Sequence, residues 1–422
     1  MSLRNANNDA EVGNSGTEQV AMNRAGCTII SLNYLAYART LCESFLRFHP
    51  DSKFYVLVVD RVPLDVDLTA EKFDIVLVED LGIPDFSSVA FKYDILELNT
   101  NVKPTFLKRL LSFGIEEIVY LDPDICIYNS LEPIFTELET HSLALTPHTL
   151  SPYPDHGRSE LILLSSGIFN LGFIAVKKCV QSDSFLEWWE DRCLHLAFNE
   201  QRSGLFVDQK WANLAPCFFS AVAILRNEGC NMAYWNLHER SLSRMEMKWR
   251  VNTDTPLVFF HFSGIAVDGG DRISKYSEAF DLKSRPDLRE IFEDYRARLI
   301  ANGIRQSWAG KYAFASFDNG QYISRLARSV YASSLGAYSN ENPFNHTSRF
   351  YSEAKRAGLL SDGDSSNSYT SKNYEKSDRR LRILHAMCRI ALRMMGADRY
   401  TLLMKYLSYI SILRNQKDVL RF

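Results

Sequence analysis

The sequence predicts an α/β domain built on a doubly wound, mostly parallel sheet, followed by a mainly helical C-terminal region. Residues 53–60 and 73–80 are continuous apolar runs that each end in an acid. Continuous runs are typical of strands covered on both faces, as in parallel sheets. Stretches of helical periodicity alternate with these runs up to about residue 280. A chain of 422 residues with 46% hydrophobic and 23% charged residues can bury such a core.

The elements follow one another in a regular order. The apolar run 27–32 is rich in β-branched residues and predicts the first strand, and 37–48 carries apolar residues at helical spacing. Residues 94–114 predict two helices broken near Pro104, because proline disrupts a helix interior. The remaining predicted elements of this part are strands at 117–121, 172–178 and 256–264 and a helix at 183–196.

Three regions differ in composition. Residues 1–24 are polar and predict a disordered arm, residues 25–280 the α/β domain, and residues 281–422 a mainly helical region with a polar loop near 361–378. The stretch 372–422 holds 12 Lys or Arg against 4 Asp or Glu, while the whole chain has a net charge of -3. The basic charge is therefore concentrated at the C-terminal end.

Composition also limits location and partners. The eight cysteines include no CxxC pair, which favours reduced thiols of a cytoplasmic protein over disulfides or a zinc site. The first residues lack the apolar segment of a secretory signal, and no run of about 18 apolar residues predicts a transmembrane helix. A net charge of -3 gives no reason to expect nucleic acid as the main partner.

Two aspartates end the predicted strand 117–121. The triplet Asp-x-Asp occurs three times, but only Asp122 and Asp124 close a strand that is predicted to be buried on both faces. Ligands of open α/β sheets bind at the carboxyl ends of strands. Residues i and i+2 of an extended chain point to one side, where two carboxylates would suit a Mg²⁺ or Mn²⁺ ion. The alternative is an ordinary helix N-cap, by Asp124 or by Ser130.

Three later stretches could complete a site. Asn170 lies between two glycines just before a strand, where the backbone either passes a ligand or simply turns. Asp208 and Gln209 stand in an apolar and aromatic setting, either at a site or at a helix N-terminus. His261 lies between phenylalanines at a strand end, as a core residue or as a third metal ligand, since imidazole suits Mn²⁺.

Taken in order, these stretches resemble the nucleotide-sugar glycosyltransferases of the GT-A fold, nearest to family 8 and related bacterial polysaccharide glycosyltransferases. The resemblance covers roughly residues 25–280. It is carried by 28-TIISLNY-34, Asp122-Pro123-Asp124, 170-NLG-172, 208-DQ-209 and 261-HFSG-264. Family 8 commonly has Lys-Pro-Trp soon after the last motif, whereas 265-IAVDGGDRISKY-276 follows here.

The resemblance implies a role for each matching residue. Asp122, Asp124 and His261 would bind Mn²⁺ (or Mg²⁺), and Asp122 would also contact the ribose. Asp208, Gln209 and Asn170 would lie at the reacting centre and beside the donor sugar. The remaining donor-binding residues would be Ser31, Leu32, Asn33, Tyr34, Lys103, Gly172, Gly264 and Lys275. Lys103 would contact phosphate or pair with the acidic site.

The function implied is transfer of a sugar from a nucleotide-sugar, a UDP-sugar by resemblance, to a saccharide or lipid-linked acceptor in bacterial surface polysaccharide assembly, with retention. A nucleotidyltransferase or a catalytically silent sugar-nucleotide-binding scaffold is the alternative, although 31-SLNYLAYART-40 lacks the glycines of a nucleotidyltransferase phosphate loop. Residues 379–415 predict amphipathic helices with basic residues. These would pack on the domain, form an oligomer interface, or contact the inner face of the membrane.

Overall fold

Seven strands form the central sheet, in the order Val222–Ile224 (β10), Leu143–Pro147 (β6), Phe169–Lys177 (β7), Glu117–Leu121 (β4), Arg24–Ile30 (β1), Lys53–Val58 (β2) and Asp74–Leu77 (β3). The computed structural model describes residues 23–64, 66–306, 311–338, 340–361, 363 and 379–420. The strands of the described residues are β1 Arg24–Ile30, β2 Lys53–Val58, β3 Asp74–Leu77, β4 Glu117–Leu121, β5 Ile125–Ile127, β6 Leu143–Pro147, β7 Phe169–Lys177, β8 Asn199–Glu200, β9 Leu205–Phe206, β10 Val222–Ile224, β11 Leu242–Met245, β12 Lys248–Val251, β13 Thr255–Pro256, β14 Phe259–His261, β15 Arg272–Ser274 and β16 Ser277–Asp281.

The α-helices of the same residues are α1 Leu35–Phe48, α2 Phe86–Lys92, α3 Ile95–Asn101, α4 Lys103–Ser112, α5 Glu132–Thr140, α6 Arg158–Ser166, α7 Val180–Leu196, α8 Gln209–Ala212, α9 Ala215–Phe218, α10 Arg289–Ala301, α11 Arg325–Ser333, α12 Arg349–Arg356, α13 Arg379–Ile410 and α14 Lys417–Leu420. The helix break predicted near Pro104 is confirmed, because α3 ends at Asn101 and α4 begins at Lys103. The predicted arm 1–24 and loop 361–378 lie outside the described residues, apart from positions 23, 24, 361 and 363.

The sheet is mostly parallel, which confirms the predicted fold class. Strands β1, β2, β3 and β4 run parallel, and β10 is parallel to β6. Only β7 runs antiparallel to its neighbours β4 and β6. Because β1 and β4 are parallel neighbours, with Cys27 paired to Tyr120, the turn after β1 lies beside the turn after β4. This edge of the sheet is where the sequence places its acidic pair.

Helices cover both faces of the sheet. Helices α1 and α5 bury Phe45 and Phe135 against one face. Helices α4 and α7 bury Phe106 and Trp189 against the other. The predicted boundary at residue 280 stays a prediction, but part of the chain beyond it packs into this second core, through Phe314, Phe317, Ile323, Ala327, Val330, Tyr331, Phe350 and Leu359. The chain from Phe314 to Leu359 is thus part of the packed unit that carries the sheet.

A buried arginine ties this later segment to the sheet domain. Arg328 of α11 is 5% exposed and donates hydrogen bonds to the carbonyls of Ala90, Phe91 and Tyr93. A further bond joins it to the carbonyl of Phe314. These carbonyls close the C-terminal end of α2, where backbone acceptors lack helical partners and attract a cation.

The C-terminal helix is two helices rather than one. Gly396 interrupts α13 with φ 78° and ψ 169°, which lie outside the helical region, so the chain is kinked at this residue. No described side chain of α13 is buried. Among the described residues, no helix is both long and apolar enough to cross a membrane.

Candidate active site

A tight turn follows β4 and carries the two aspartates. The amide of Ile125 donates to the carbonyl of Asp122 at 3.0 Å, with Pro123 at the second position of the turn, where proline is favoured. The backbone is a turn at residues 123–124, so the prediction of an extended chain across Asp122 and Asp124 is wrong. The two carboxylates nevertheless converge, because the turn brings them back to one side. Neither caps a helix: α5 begins at Glu132 after Leu131, which provides no side-chain cap.

Strand β14 brings a histidine to this turn. It pairs antiparallel with β5, with His261 opposite Ile125, and the amide of Phe262 donates to the carbonyl of Asp124 at 2.9 Å. The His261 Nε2 atom lies 2.9 Å from Asp124 Oδ1 and 3.9 Å from Asp122 Oδ2. One ligand atom from each of the three residues lies within 4.8 Å of the others. The structure therefore brings together the three residues predicted to hold a metal.

The donor set fits a divalent cation. Two carboxylates and one imidazole are ligands that suit Mn²⁺, while Mg²⁺ favours oxygen alone. His261 is buried, which lowers its pKa, but the carboxylates of Asp124 and Asp122 outweigh burial and raise its pKa overall. The Nε2 atom of His261 faces the carboxylates, whereas its buried Nδ1 atom finds no hydrogen-bond partner among the described residues. A cation among these three groups would relieve the repulsion between the two carboxylates.

Tyr120 and Gly172 hold Asp122 in position, and Gly172 lies too close to the cluster to carry a side chain. Tyr120 donates its hydroxyl to Asp122 Oδ1 at 2.7 Å, and the Asp122 amide donates to the carbonyl of Gly172 at 2.7 Å. A Cβ atom on Gly172 would lie 2.5 Å from His261 Cε1 and 2.9 Å from Asp122 Oδ2. Glycine is thus required at the last position of 170-NLG-172, because β7 passes directly against the cluster.

A buried ion pair forms the next wall of the site. Lys103 Nζ lies 2.6 Å from Asp208 Oδ2, and both side chains are 2% exposed. Lys103 also donates to the carbonyl of Leu171 at 2.7 Å. Burial raises the pKa of Asp208, and the ammonium of Lys103 opposes that rise. Of the two roles considered for Lys103, the structure shows pairing with an acid, and a phosphate contact stays a prediction.

Asp208 and Gln209 do not act as helix caps through their side chains. Asp208 occupies the N-cap position of α8, but its side chain makes no capping bond. The Gln209 side-chain oxygen accepts a hydrogen bond from the backbone N–H of Leu171 at 3.1 Å, and its side-chain nitrogen donates to the carbonyl of Ser166 at 3.1 Å. The Gln209 side chain is therefore bonded to the backbone both in β7 and just before it. Its direct contact with substrate stays a prediction.

Asn170 belongs to a buried amide network. Its Oδ1 accepts from Asn231 Nδ2 at 3.1 Å, and its Nδ2 lies 3.5 Å from His148 Nε2. The stretch 231-NMAYWN-236, which the sequence analysis did not single out, is held here by Asn236, which donates to the carbonyl of His148 at 3.1 Å. Burial lowers the pKa of His148 to about 4, so it is neutral at pH 7.

That stretch places an aromatic side chain against the cluster. Trp235 lies between two histidine rings in edge-to-face geometry, with centroids 5.3 Å from His148 and 5.1 Å from His261. The only signal of this in the sequence is the pair of asparagines that flank Tyr234 and Trp235. Both aromatic residues line the cavity described below.

The turn after β1 lies at the same edge. Ser31 is buried and accepts from Asn99 Nδ2 at 2.9 Å, and Leu32 is buried in the core. Asn33 is exposed, and Tyr34 stacks on Tyr37 with ring centroids 4.9 Å apart. Burial, and then the nearby charge of Asp124, raise the pKa of Tyr34 well above its usual range. The turn thus stands beside the cluster, and its contact with a nucleoside stays a prediction.

Gly264 and Lys275 meet on the other side of His261. Gly264 adopts φ 73°, and a Cβ there would lie 2.8 Å from the Ser274 hydroxyl. The Lys275 amide donates to the Gly264 carbonyl at 2.9 Å. The Lys275 side chain is exposed, with Nζ 5.1 Å from the centre of the Tyr276 ring, and its contact with a phosphate stays a prediction.

A cavity of about 960 Å³ joins these parts. Its lining includes Lys103, Asp122, His148, Asn170, Leu171, Gly172, Asp208, Gln209, Trp235 and His261. It also includes Asp94, Glu200, Arg202, Arg325 and residues 411–413. The volume lies in the range of pockets that enclose a small-molecule ligand. All eight cysteines are free.

Comparisons with known proteins give three similarities worth stating. No protein-family model matches the chain. The uncharacterized protein YfnF of Bacillus subtilis is 27% identical over 284 residues, 66% of this chain and 92% of that protein. The galactosyltransferase LgtC, solved with donor and acceptor sugar analogues, is 16% identical with a TM-score of 0.38, over 65% of this chain and 95% of LgtC.

The glycosyltransferase GlyE of Streptococcus pneumoniae TIGR4 is 15% identical with a TM-score of 0.38, over 74% of this chain and 73% of GlyE. The two solved structures are glycosyltransferases, and neither similarity confirms family 8 specifically. At these identities and TM-scores, the function is inferred from the geometry of the cluster and the cavity alone.

Proposed function

We propose that this protein is a metal-dependent glycosyltransferase that moves a sugar from a nucleotide-sugar, a UDP-sugar, to a saccharide or lipid-linked acceptor. By resemblance to its bacterial relatives in motif, the reaction serves surface polysaccharide assembly and proceeds with retention. The observation that carries the proposal is the convergence of Asp122, Asp124 and His261 at the carboxyl edge of a parallel sheet, with Asp122 and His261 lining a large cavity. Ligand sites of open α/β sheets occupy this edge.

The metal, Mn²⁺ or Mg²⁺, would be held by Asp122, Asp124 and His261 and would supply positive charge beside the leaving diphosphate. The rest of the chemistry falls to the chain itself. Asp208, kept beside Lys103 at the cavity wall, supplies negative charge near the sugar carbon whose bond to the diphosphate breaks. An ionised carboxylate there would stabilise positive charge developing on the sugar ring.

Binding and orientation fall to the surrounding groups. Tyr34 offers an aromatic face beside the turn after β1, where the nucleoside is proposed to lie. The Asn170 amide, fixed by Asn231, would contact the donor sugar. Gln209 holds β7 in place through its two backbone bonds, so that Gly172 stays against the cluster.

The test is release of UDP from UDP-sugars as a function of Mn²⁺ concentration. We expect Asp124→Ala to lower the rate about 100-fold or more, because loss of a metal ligand removes several kcal/mol of charge stabilisation. His261→Ala should weaken Mn²⁺ affinity. Asp67→Ala is the matched control, since Asp67 is an exposed aspartate from another Asp-x-Asp triplet and its carboxylate accepts hydrogen bonds from Thr69.

Each alternative has its own result. Release of pyrophosphate from UTP and a sugar phosphate would indicate a nucleotidyltransferase instead. Mn²⁺-dependent binding of UDP-sugars with no turnover would indicate a silent scaffold. Unchanged metal titration in both Asp124→Ala and His261→Ala would show that the cluster is not the metal site.

A further inference from the structure

His148 lies at the edge of the sheet that carries the cluster. Strands β4 and β6 run in the same direction, because both pair antiparallel with β7. The carboxyl end of β6 therefore lies at the same edge as the carboxyl end of β4. His148 directly follows β6, as Asp122 directly follows β4, and both residues line the cavity.

The hydrogen bonds of His148 fix which ring nitrogen carries the proton. Its Nδ1 atom lies 3.2 Å from the carbonyl oxygen of Ile168, and a carbonyl can only accept, so Nδ1 carries the hydrogen. Burial lowers the pKa of the ring to about 4, which keeps it neutral at pH 7. The other ring nitrogen, Nε2, is therefore an acceptor without a proton of its own.

The orientation of the Asn170 amide is fixed by a second amide. Asn231 Nδ2 donates to Thr146 Oγ1 at 2.8 Å and to Asn170 Oδ1 at 3.1 Å. Because Asn231 donates here, the atom of Asn170 that faces it must be the acceptor, Oδ1. The Nδ2 group of Asn170, which is a donor, is consequently turned toward His148 Nε2, 3.5 Å away.

His148 and Asn170 thus present one acceptor and one donor side by side. A distance of 3.5 Å is beyond the usual range of a hydrogen bond, so the two groups satisfy each other only weakly. A hydroxyl oxygen about 2.8 Å from both atoms would donate to Nε2 and accept from Nδ2. A carboxylate can only accept and a methylene can do neither. The two side chains are 7% and 8% exposed, and both line the cavity.

The pair lies close enough to the cluster to meet the sugar of a bound donor. The Trp235 indole packs edge-to-face on two histidine rings, with centroids 5.3 Å from His148 and 5.1 Å from His261. A single indole therefore separates the pair from the metal ligand His261. The transferred sugar is attached to the diphosphate that the metal would hold, so it must lie beside the cluster.

The chain after His148 is held in place by one carboxylate. Glu239 accepts hydrogen bonds from the backbone N–H groups of Leu150 and Ser151, at 3.0 Å and 2.6 Å, and from the Ser151 hydroxyl at 2.7 Å. His148 is thus fixed by Ile168 at its ring and by this loop in the chain. A group fixed before the ligand arrives loses little entropy when it binds, which favours selective recognition.

We propose that His148 and Asn170 together recognise one hydroxyl of the transferred sugar, so that the donor is a UDP-hexose with a free hydroxyl at the carbon that meets this pair. This rests on the proposed transfer of a sugar and assigns His148 to the specificity of the donor site, with no part in metal binding. A sugar without that hydroxyl leaves the two buried groups unpaired, which penalises its binding.

The first experiment measures UDP release without acceptor from UDP-glucose, UDP-galactose and the analogues that each lack one hydroxyl of the better substrate. We expect one deoxy analogue to have a kcat/KM about 100-fold below that of its parent. His148→Leu should lower the parent by a similar factor and leave that analogue nearly unchanged. His148→Gln, whose side-chain oxygen can accept in place of Nε2, should restore part of the discrimination. His195→Leu, at an exposed histidine of α7, is the matched control.

Asn170→Asp tests the other half of the pair. The variant keeps an oxygen for Asn231 to bond but replaces the donor group by an acceptor, so it should lose discrimination. The deoxy analogue that reveals the loss should be the same one that His148→Leu reveals. Loss at a different carbon would overturn the assignment of one hydroxyl to both residues.

A purely structural role of His148 would give another pattern. His148→Leu would then lower UDP release from the parent and from every analogue equally, and displacement of Trp235 against His261 would weaken Mn²⁺ binding in an isothermal titration. That result would overturn the proposal, which expects Mn²⁺ affinity to be unchanged. Discrimination seen only among deoxy acceptors would overturn it as well, by assigning the pair to the acceptor.

The binding affinities of the same sugars separate this inference from the proposed function. Absence of UDP release in the unaltered protein would refute the proposed function. The affinities of the parent UDP-hexose and its analogues, measured with Mn²⁺ by isothermal titration, would then still show whether one hydroxyl is recognised. Equal affinities for the parent and all analogues would overturn the role of His148 and Asn170, whether or not UDP is released.

Discussion

Replacing Lys103 by methionine would leave Asp208 buried without its cation. Both side chains are 2% exposed and joined at 2.6 Å, and Lys103 also satisfies the carbonyl of Leu171. Breaking a buried pair by removing one partner costs about 3–5 kcal/mol, because an uncompensated charge remains in the interior. We therefore expect Lys103→Met to lower the free energy of unfolding by about 3 kcal/mol or more, measured by urea denaturation.

The double variant separates the pair from packing. Lys103→Met with Asp208→Asn leaves neither charge, so its cost should be about 2 kcal/mol or more below the sum of the two single variants. Lys108→Met is the control, since Lys108 lies on the same helix and pairs with Glu190 near the surface, where such pairs are worth about 1 kcal/mol or less. Additive costs, or a Lys103→Met cost no larger than that of Lys108→Met, would refute the reasoning.

The Lys103→Met substitution should also change the pH dependence of activity. Burial favours the neutral form of Asp208 and Lys103 opposes it, so loss of the cation should raise the pKa of Asp208 further. If the reaction needs the carboxylate, UDP release by Lys103→Met should require a higher pH, with its acidic limb moved up by about one unit or more. A pH profile that loses amplitude without moving would assign Lys103 a purely structural role.

Two further predictions concern the walls of the cluster. Gly172→Ala should weaken Mn²⁺ binding about tenfold or more in an isothermal titration, because its Cβ would meet His261 Cε1 at 2.5 Å. Gly336→Ala is the control, because a Cβ there has no heavy atom within 4 Å among the described residues, and it should leave that affinity unchanged. Burial lowers the pKa of His148 to about 4 from an ordinary 6.5. The contribution of neutral His148 to the free energy of unfolding is therefore fully present above pH 6.5 and is lost as the pH falls toward 4. That loss approaches about 3 kcal/mol, and thermal unfolding of His148→Gln should lack this part of the pH dependence.

Much of the sheet could be predicted because its strands carry their own signal. The runs that became β1, β2 and β4 are mainly apolar, since each strand is covered on both faces by helices. The acidic pair Asp122 and Asp124 could be placed at an edge because the run before it is a strand and the sheet is parallel. The turn that makes the two carboxylates converge was not predicted, although Pro123 at its second position is a turn signal.

The parts that escaped prediction depend on contacts between distant residues. Lys103 and Asp208 are 105 positions apart, and nothing local in either stretch indicates that one satisfies the other. The packing of Phe314, Ile323 and Phe350 into the core is another example, because helical periodicity shows that a face is apolar but not what covers it. For the same reason, the sequence left three fates open for the helices after residue 379.

The stretch Asn231–Asn236 shows what kind of signal such contacts leave. Its asparagines bond Thr146, Asn170 and the carbonyl of His148, which lie 85, 61 and 88 positions away. An amide next to large aromatic side chains is buried with them, and a buried amide must find partners. Asparagines near Tyr234 and Trp235 therefore predict a loop that is hydrogen-bonded to polar groups distant in the sequence. Buried polar groups of an α/β domain cluster at the ligand site, so such a loop is expected to lie there. On that argument, Asn231→Ala should displace Trp235 and weaken UDP-sugar binding more than it lowers the free energy of unfolding.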